Sequence, residues 1–257
     1  MEPVKQKLIM ENWRRFLTEQ EKKSADTTGI CMYSEVDDDD AILILYKLGT
    51  GATVDQKILG LKIVGSVGLT SLQDSGPCIS GKAVDGTNVG TKPSWQVESI
   101  YTAQEFRGQK YGLLLYNMAF VVANGAGGGL TSDKDSGSTS AAGRMWDYFD
   151  KDETKYAKVS TEDGSKLLDY DGTNTPDDPN DDCIMQPSQS RATDYSFALM
   201  SDQDKSFAES AMAEMEANHR TFAEEVDNHP TYTEDKLEKI LQQADYQSFD
   251  IAYTASV

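Results

Sequence analysis

The sequence predicts an α+β protein: a mixed, mostly antiparallel twisted sheet flanked by helices, with an acidic helical extension at its C-terminal end. Three observations carry this expectation. Short apolar and β-branched runs, separated by turn residues, crowd the chain before residue 103. Two helical patterns then alternate with short strand-like runs up to about residue 200, the order of an α+β or α/β domain. From residue 201 onward, apolar residues recur at helical spacing in an acidic background.

Each element follows from its own residues. "KLIMENWRRFLTEQEKK" sets Ile9, Trp13, Phe16, Leu17 and Gln20 at helical spacing with Lys and Arg on the other faces, an amphipathic helix. "GICMYSEV" and "AILILYKLG" read as strands around the acidic turn Asp37 to Asp40. "KILGLKIVGSVGLTSLQD" and "SWQVESIYT" add further strands, joined by the Gly-, Ser- and Pro-rich loop 74–94. From Gln109 to Asn124 the pattern is helical, and "GAGGG" stops it. "LTSDKD" is a short strand, and "STSAAGRMWDYFDK" a helix capped by one of its Ser or Thr residues. The polar stretch 150–190, with "DYDGTNTPDDPNDDC", reads as a long loop, and "DYSFALM" as a last strand. Phe207, Ala211, Met215, Phe222 and Val226 then share one helical face, and a shorter helix is expected from Thr233 to Gln243. Residues 1–200 are thus expected to form the domain and 201–257 the extension.

Composition narrows the function classes. With 24 Lys and Arg against 43 Asp and Glu, the net charge is -19, the wrong sign for binding a nucleic-acid backbone. Charge is uneven: residues 1–23 carry six Lys/Arg against four Glu, and residues 201–257 four against thirteen acidic residues. Solubility accounts for such a tail, as does docking on a basic partner. No apolar run approaches the about 18 residues of a membrane span, and the run near the start is too interrupted for a signal peptide. Cys31, Cys78 and Cys183 are widely spaced and odd in number, which suits free thiols in a reducing compartment. No metal site is expected: His219 and His229 lack ligands at zinc spacing and read as surface or helix-end residues. The acidic loop 169–182 lacks the ligand order of a calcium loop. Cys183, among carboxylates and without a nearby His, reads as unreactive.

The chemistry gathers at one junction. "IYT" ends a strand, "AQEFRGQKYG" turns, and a long apolar helix follows. Backbone N–H groups at a helix N-terminus lack intrahelical acceptors, and the helix dipole adds partial positive charge there. Gly108 and Gly112 remove side chains where the backbone bends or a phosphate approaches, and Arg107 offers a charge-assisted contact. These are the parts of a pyrophosphate cradle.

The stretch Arg107-Gly108-Gln109-Lys110-Tyr111-Gly112 resembles the acetyl-CoA signature of the GNAT superfamily of N-acetyltransferases, Arg/Gln-x-x-Gly-x-Gly/Ala, with Lys110 where the middle glycine stands. In that family the signature follows the fourth strand, opens a helix, and is followed by a fifth strand and another helix. The resemblance spans about residues 5–200 and is specific over 95–150. It implies that the backbone of Ile100, Tyr101 and Thr102 would bind the pantetheine arm of acetyl-CoA, and that N–H groups from Arg107 to Gly112 would hold the pyrophosphate. The later helix of the family carries an Asn near its start and a Tyr that protonates the leaving thiolate. Thr139 and Trp146 fall at those positions, and tryptophan cannot supply the proton. Tyr101 and Tyr148 are the remaining acid candidates. Direct transfer also needs a proton acceptor for the amine. Glu98 is the candidate, sharing a strand face with Ile100 and Thr102 at period two.

A narrower resemblance runs to acetyltransferase-like proteins of tailed bacteriophages, carried by "LTSDKDSGSTSAAGRMWDYF", "TPDDPNDDC" and "KLIMENWRRFL". It implies a second class of function, a virion structural or ejection protein that keeps the fold without the chemistry. Two expectations therefore stand together. One is an acetyl-CoA-dependent N-acyltransferase with an amine acceptor in the bacterial host cytoplasm. The other is a virion component whose N-terminal helix and C-terminal extension make homo-oligomer or virion contacts.

Overall fold

The computed structural model describes residues 24–71, 95–126, 129–133, 140–151, 155–159, 196–199 and 201–254. The expectations for the N-terminal helix, the loops 74–94 and 169–182, Cys78, Cys183 and Thr139 lie outside the described residues. Strands β1 (Ile30–Val36), β2 (Asp40–Lys47), β3 (Lys62–Ser71), β4 (Trp95–Thr102), β5 (Leu130–Ser132), β6 (Tyr156–Val159) and β7 (Ser196–Leu199) form one sheet in the order β1-β2-β3-β4-β5-β7-β6. Every neighbouring pair is antiparallel except β4 and β5, which run parallel. The helices are α1 (Val54–Leu59), α2 (Tyr111–Gly125), α3 (Ser140–Lys151), α4 (Asp202–Asp227) and α5 (Glu234–Thr254), with a 3-10 turn at Gln104–Phe106. The α+β class with a mostly antiparallel sheet is therefore what the chain adopts.

Two elements differ from the sequence expectation. "KIL", the start of a supposed strand, lies in α1. There the Thr53 hydroxyl accepts from Gln56 N while the Gln56 side chain returns to the Thr53 backbone. This reciprocal cap outweighs a short apolar pattern. The stretch 150–190, expected as loop, holds β6, whose four residues pair with β7 from Tyr156↔Leu199 to Val159↔Ser196. Four residues are too few for a readable period.

Alternation along the strands splits the core in two. Ile30, Met32, Leu43, Leu45, Val67 and Leu69 pack with α2 on one face. Cys31, Tyr33, Ile44, Tyr46 and Ile63 face the other way. α2 is buried on several sides at once, through residues from Tyr111 to Ala123, because the sheet and other helices cover it. α3 brings Trp146 and Phe149 into an aromatic group with Tyr116, Phe120, Tyr156 and Phe197. Each well-placed ring pair contributes roughly 0.5–1.5 kcal/mol beyond its buried area.

The C-terminal helices belong to this core. Ser201 caps α4 by accepting from Asp204 N, and Asp202 and Asp204 sit in the first turn where the dipole favours them. Ala211 and Met215 join the α2-side cluster, while Phe222, Ala223 and Val226 join the opposite one. α4 thus passes the free edge of β1, where Asn218 Nδ2 donates to Ile30 O at 2.8 Å and Ser34 donates to Glu216 at 3.3 Å. An edge strand covered in this way is a poor template for aggregation. α5 adds Leu237 and Leu241 to the second face and runs to Thr254, well past the expected Gln243. Among the described residues, no helix is long and apolar enough to cross a membrane.

Candidate functional site

β4 is bonded along its length on one side only. It pairs with β3 from Ser71↔Trp95 to Gly65↔Thr102, but meets β5 only at Trp95, Gln96 and Val97. From Glu98 to Thr102, no strand among the described residues covers its β5-side edge. Main-chain groups there are available to an extended ligand, by the same bonding that adds a strand to a sheet.

The β3–β4 register shifts between Gly68 and Leu69, so that Ser99 faces Gly68, Val97 faces Leu69, and Glu98 has no partner of its own. Such a bulge changes strand parity. Trp95, Val97 and Ile100 all belong to the α2-side core, while Tyr101 belongs to the opposite cluster. The bulge interrupts the simple alternation by which Glu98 is expected to share a face with Ile100 and Thr102. Glu98 lies exposed at the bulge.

Beyond β4, Ala103 N donates to Val64 O at 2.9 Å, and the 3-10 turn carries the chain to Arg107. Gly108 has φ +77°, which glycine adopts without penalty. Lys110 has φ 68° and ψ 11°, the left-handed conformation. The one departure from the signature thus adopts a conformation that glycine adopts more readily. Lys110 occupies the N-cap of α2 without a side-chain cap bond. The first N–H of that helix to find a backbone acceptor among the described residues is that of Leu114, bonded to Lys110 O at 3.1 Å. Residues 107–110 are all exposed. An uncapped, exposed helix start leaves donors aimed outward.

The turn is held from both sides. Tyr111 is buried, its hydroxyl donates to Asp26 O at 2.6 Å, and its ring meets Phe106 edge-on at 6.0 Å. Arg107 Nε donates to Thr102 O at 3.3 Å, and Gln109 Nε2 to Glu105 O at 3.0 Å. Lys62 pairs with Glu105 at 2.8 Å. No carboxylate among the described residues pairs with Arg107. A Cβ placed on Gly112 would meet Thr102 Oγ1 at 3.5 Å, an ordinary contact. The structure therefore brings Ile100, Thr102 and Arg107 through Gly112 together around one strand end and one helix start.

The acid candidates lie apart from it. The Tyr101 hydroxyl, on the face opposite α2, donates to Asp245 Oδ1 at 2.6 Å and stands 3.2 Å from Asp245 O. Phe249 meets its ring edge-on at 5.6 Å. Burial first, then the Asp245 carboxylate, pushes the phenol pKa far up. Tyr148 is 37 % exposed and touches Phe149 and Tyr156 through ring edges. Trp146 is a core residue, 2 % exposed and stacked on Phe197.

Two polar groups become visible only in the fold. Asp245 is half-buried on α5, and burial raises its pKa while hydrogen bonds from Tyr101 and Ser66 oppose the shift. His219, expected at the surface, is instead largely enclosed between α4 and the sheet. Its Nδ1 lies 2.7 Å from the Tyr46 hydroxyl, its ring meets Tyr33 and Tyr46 edge-on, and burial lowers its pKa. His229 does close the end of α4, 3.7 Å from Asp55. Among the described residues no group of His, Cys, Asp or Glu is arranged to hold a metal ion. No protein-family model, curated protein or solved structure matches the chain.

Proposed function

We propose that the chain is an acetyl-CoA-dependent N-acyltransferase of GNAT type. One observation carries the proposal: an exposed helix start without a side-chain cap bond, beside an arginine that pairs with no carboxylate among the described residues, lies directly beyond a strand segment that no strand among the described residues covers on its β5 side. A ligand with a pyrophosphate at one end and an amide-bearing arm at the other fits both features. The helix start takes the phosphates, and the main chain of Glu98–Thr102 bonds the arm. The order of β4, α2, β5 and α3 agrees with that expected around the family's signature. In the reaction an amine attacks the thioester carbonyl, the C–N bond forms and the C–S bond breaks. The thiolate takes a proton from water, since Trp146 has none to give.

Calorimetric titration with acetyl-CoA tests the cradle, and thiol release over a panel of amines tests turnover. Arg107→Ala is expected to weaken acetyl-CoA binding about tenfold, the loss of one charge-assisted contact. Unchanged affinity in that variant would remove Arg107 from the site.

The core position of Trp146 favours a second reading, a virion protein that keeps the fold without the chemistry. Stoichiometric, ordered copies in purified particles, with no thiol release from any amine, would select it.

A further inference from the structure

α4 changes sides of the sheet around one residue. Met215 is its last contribution to the α2-side cluster and Phe222 its first to the opposite one, and His219 falls between them. Glu216 and Asn218 tie α4 to β1 just before it. Beyond it, Phe222, Ala223 and Val226 join Leu237 and Leu241 of α5 over the second face of the sheet. The imidazole therefore stands at the root of a two-helix cover.

Its surroundings suit a neutral ring. β1 places the Tyr33 ring edge-on at 5.7 Å and β2 the Tyr46 ring at 5.9 Å, with the Tyr46 hydroxyl 2.7 Å from Nδ1. No carboxylate among the described residues forms an ion pair with it. Cys31 from β1 meets the Tyr46 hydroxyl. Burial pushes that thiol up to about 11, Tyr33 to about 12 and Tyr46 further still, so none of the three ionises near neutrality. Glu35 from β1 accepts from the Tyr33 hydroxyl at 3.0 Å, and Glu238 and Gln242 from α5 act on that same hydroxyl. On its own helix, Glu216 accepts from Ser34 and Arg220 is exposed. His229, at the end of α4, lies 3.7 Å from Asp55, so its protonation strengthens that contact. Among the described residues of this cover, His219 is thus the group whose charge would appear near neutral pH without a paired carboxylate.

We propose that His219 is a pH-sensitive latch: on protonation, α5 and the part of α4 beyond residue 219 lift from the second face as one unit, while the α2 side of the sheet stays closed. Lifting gives the imidazolium the water that the closed cover limits. Burial holds the closed-state pKa below the usual 6.5, so the closed form is fully favoured above about pH 6.5 and weakens as pH falls toward the lower value. Glu238 and Asp245 on α5 act in the opposite sense, since burial raises their pKa values and their protonation at more acid pH favours closure. An opened imidazole is about ten-to-one protonated at pH 5.5, which caps the gain in opening at about tenfold over pH 7.5. The latch is independent of the acyltransferase reading.

Amide hydrogen exchange on the full chain tests it, beside His219→Gln, which keeps a hydrogen-bond acceptor for Tyr46 and does not titrate. At pH 5.5, wild-type amides of α5 and of α4 beyond residue 219 should be at least about tenfold less protected than those of α2, with a weaker dependence on urea. Their wild-type to variant ratio of exchange rates should rise about three- to tenfold between pH 7.5 and 5.5, chemical exchange cancelling at each pH. Equal protection of α2 and α5 would mean that global unfolding is the one opening, and it overturns the latch. A ratio that does not change with pH overturns it too. The chain has two histidines, so imidazole proton resonances follow His219 directly once His229→Gln assigns them. A midpoint below about 6.5 is expected, and one at or above it overturns the latch whether or not His219→Gln folds.

Discussion

Lys110 adopts φ 68°, a conformation disfavoured for residues with a Cβ by roughly 1–2 kcal/mol. Lys110→Gly should relieve part of this and raise stability by up to about 1 kcal/mol, seen as a higher urea midpoint without a change in slope. Its φ was not legible in the sequence, where the lysine appears only as a departure from a pattern. The burial of His219 is hidden in the sequence for a related reason: one histidine among Glu, Ala and Arg looks solvated until the Tyr33 and Tyr46 rings close around it. Burial holds the folded pKa of His219 below the usual 6.5, so the unfolded chain takes the proton first. The stability it contributes is complete above about pH 6.5 and is lost as pH falls toward the lower folded value. Other groups also titrate there, so the measurement is a comparison. Between about pH 7.5 and 5.5, the wild type should lose more stability than His219→Gln does.

At the scale of elements, Gly65 on β3 leaves no room for a side chain against the end of β4. A Cβ there would lie 2.4 Å from Tyr101 O and 3.1 Å from Leu115 Cδ1. The first of these is main chain and cannot swing aside. Gly65→Ala should therefore cost about 1–3 kcal/mol by denaturant unfolding, and it should disturb the β4 end that leads to the turn. β1, β2, β4 and α2 were legible because each is long enough to show a period or to end on a clear stop. The β4 bulge was not, because a register shift belongs to the pairing of two strands and leaves no mark on either alone. Simple alternation, which sets Glu98 with Ile100 and Thr102, takes no account of it. α5 extends past the end its sequence predicts because its second half, "QSFDIAY", dilutes the apolar period with polar residues.

Across the whole molecule, the acidic C-terminal segment does more than carry charge. α4 supplies Ala211 and Met215 to one face of the sheet and Phe222 and Val226 to the other, and α5 covers the second face behind Tyr101. A chain ending at residue 201 would expose both clusters and should show no cooperative unfolding transition by circular dichroism. The proposed pyrophosphate cradle was the most legible feature of the candidate site, since turn, glycines and helix are consecutive in the chain. The contact of Asp245 with Tyr101 was not, since the two residues lie 144 positions apart and meet only when the chain folds back on the sheet. The central claim, that the helix start beyond β4 holds the phosphates of acetyl-CoA, is tested most directly by calorimetry on the wild type and Gly112→Glu. The substitution has room at Thr102 and suits a helix first turn, yet it sets a negative charge where the phosphates would lie. The account predicts saturable binding to the wild type and none to Gly112→Glu, with both folded; equal binding by the two, or no binding by the wild type at about millimolar acetyl-CoA, would contradict it.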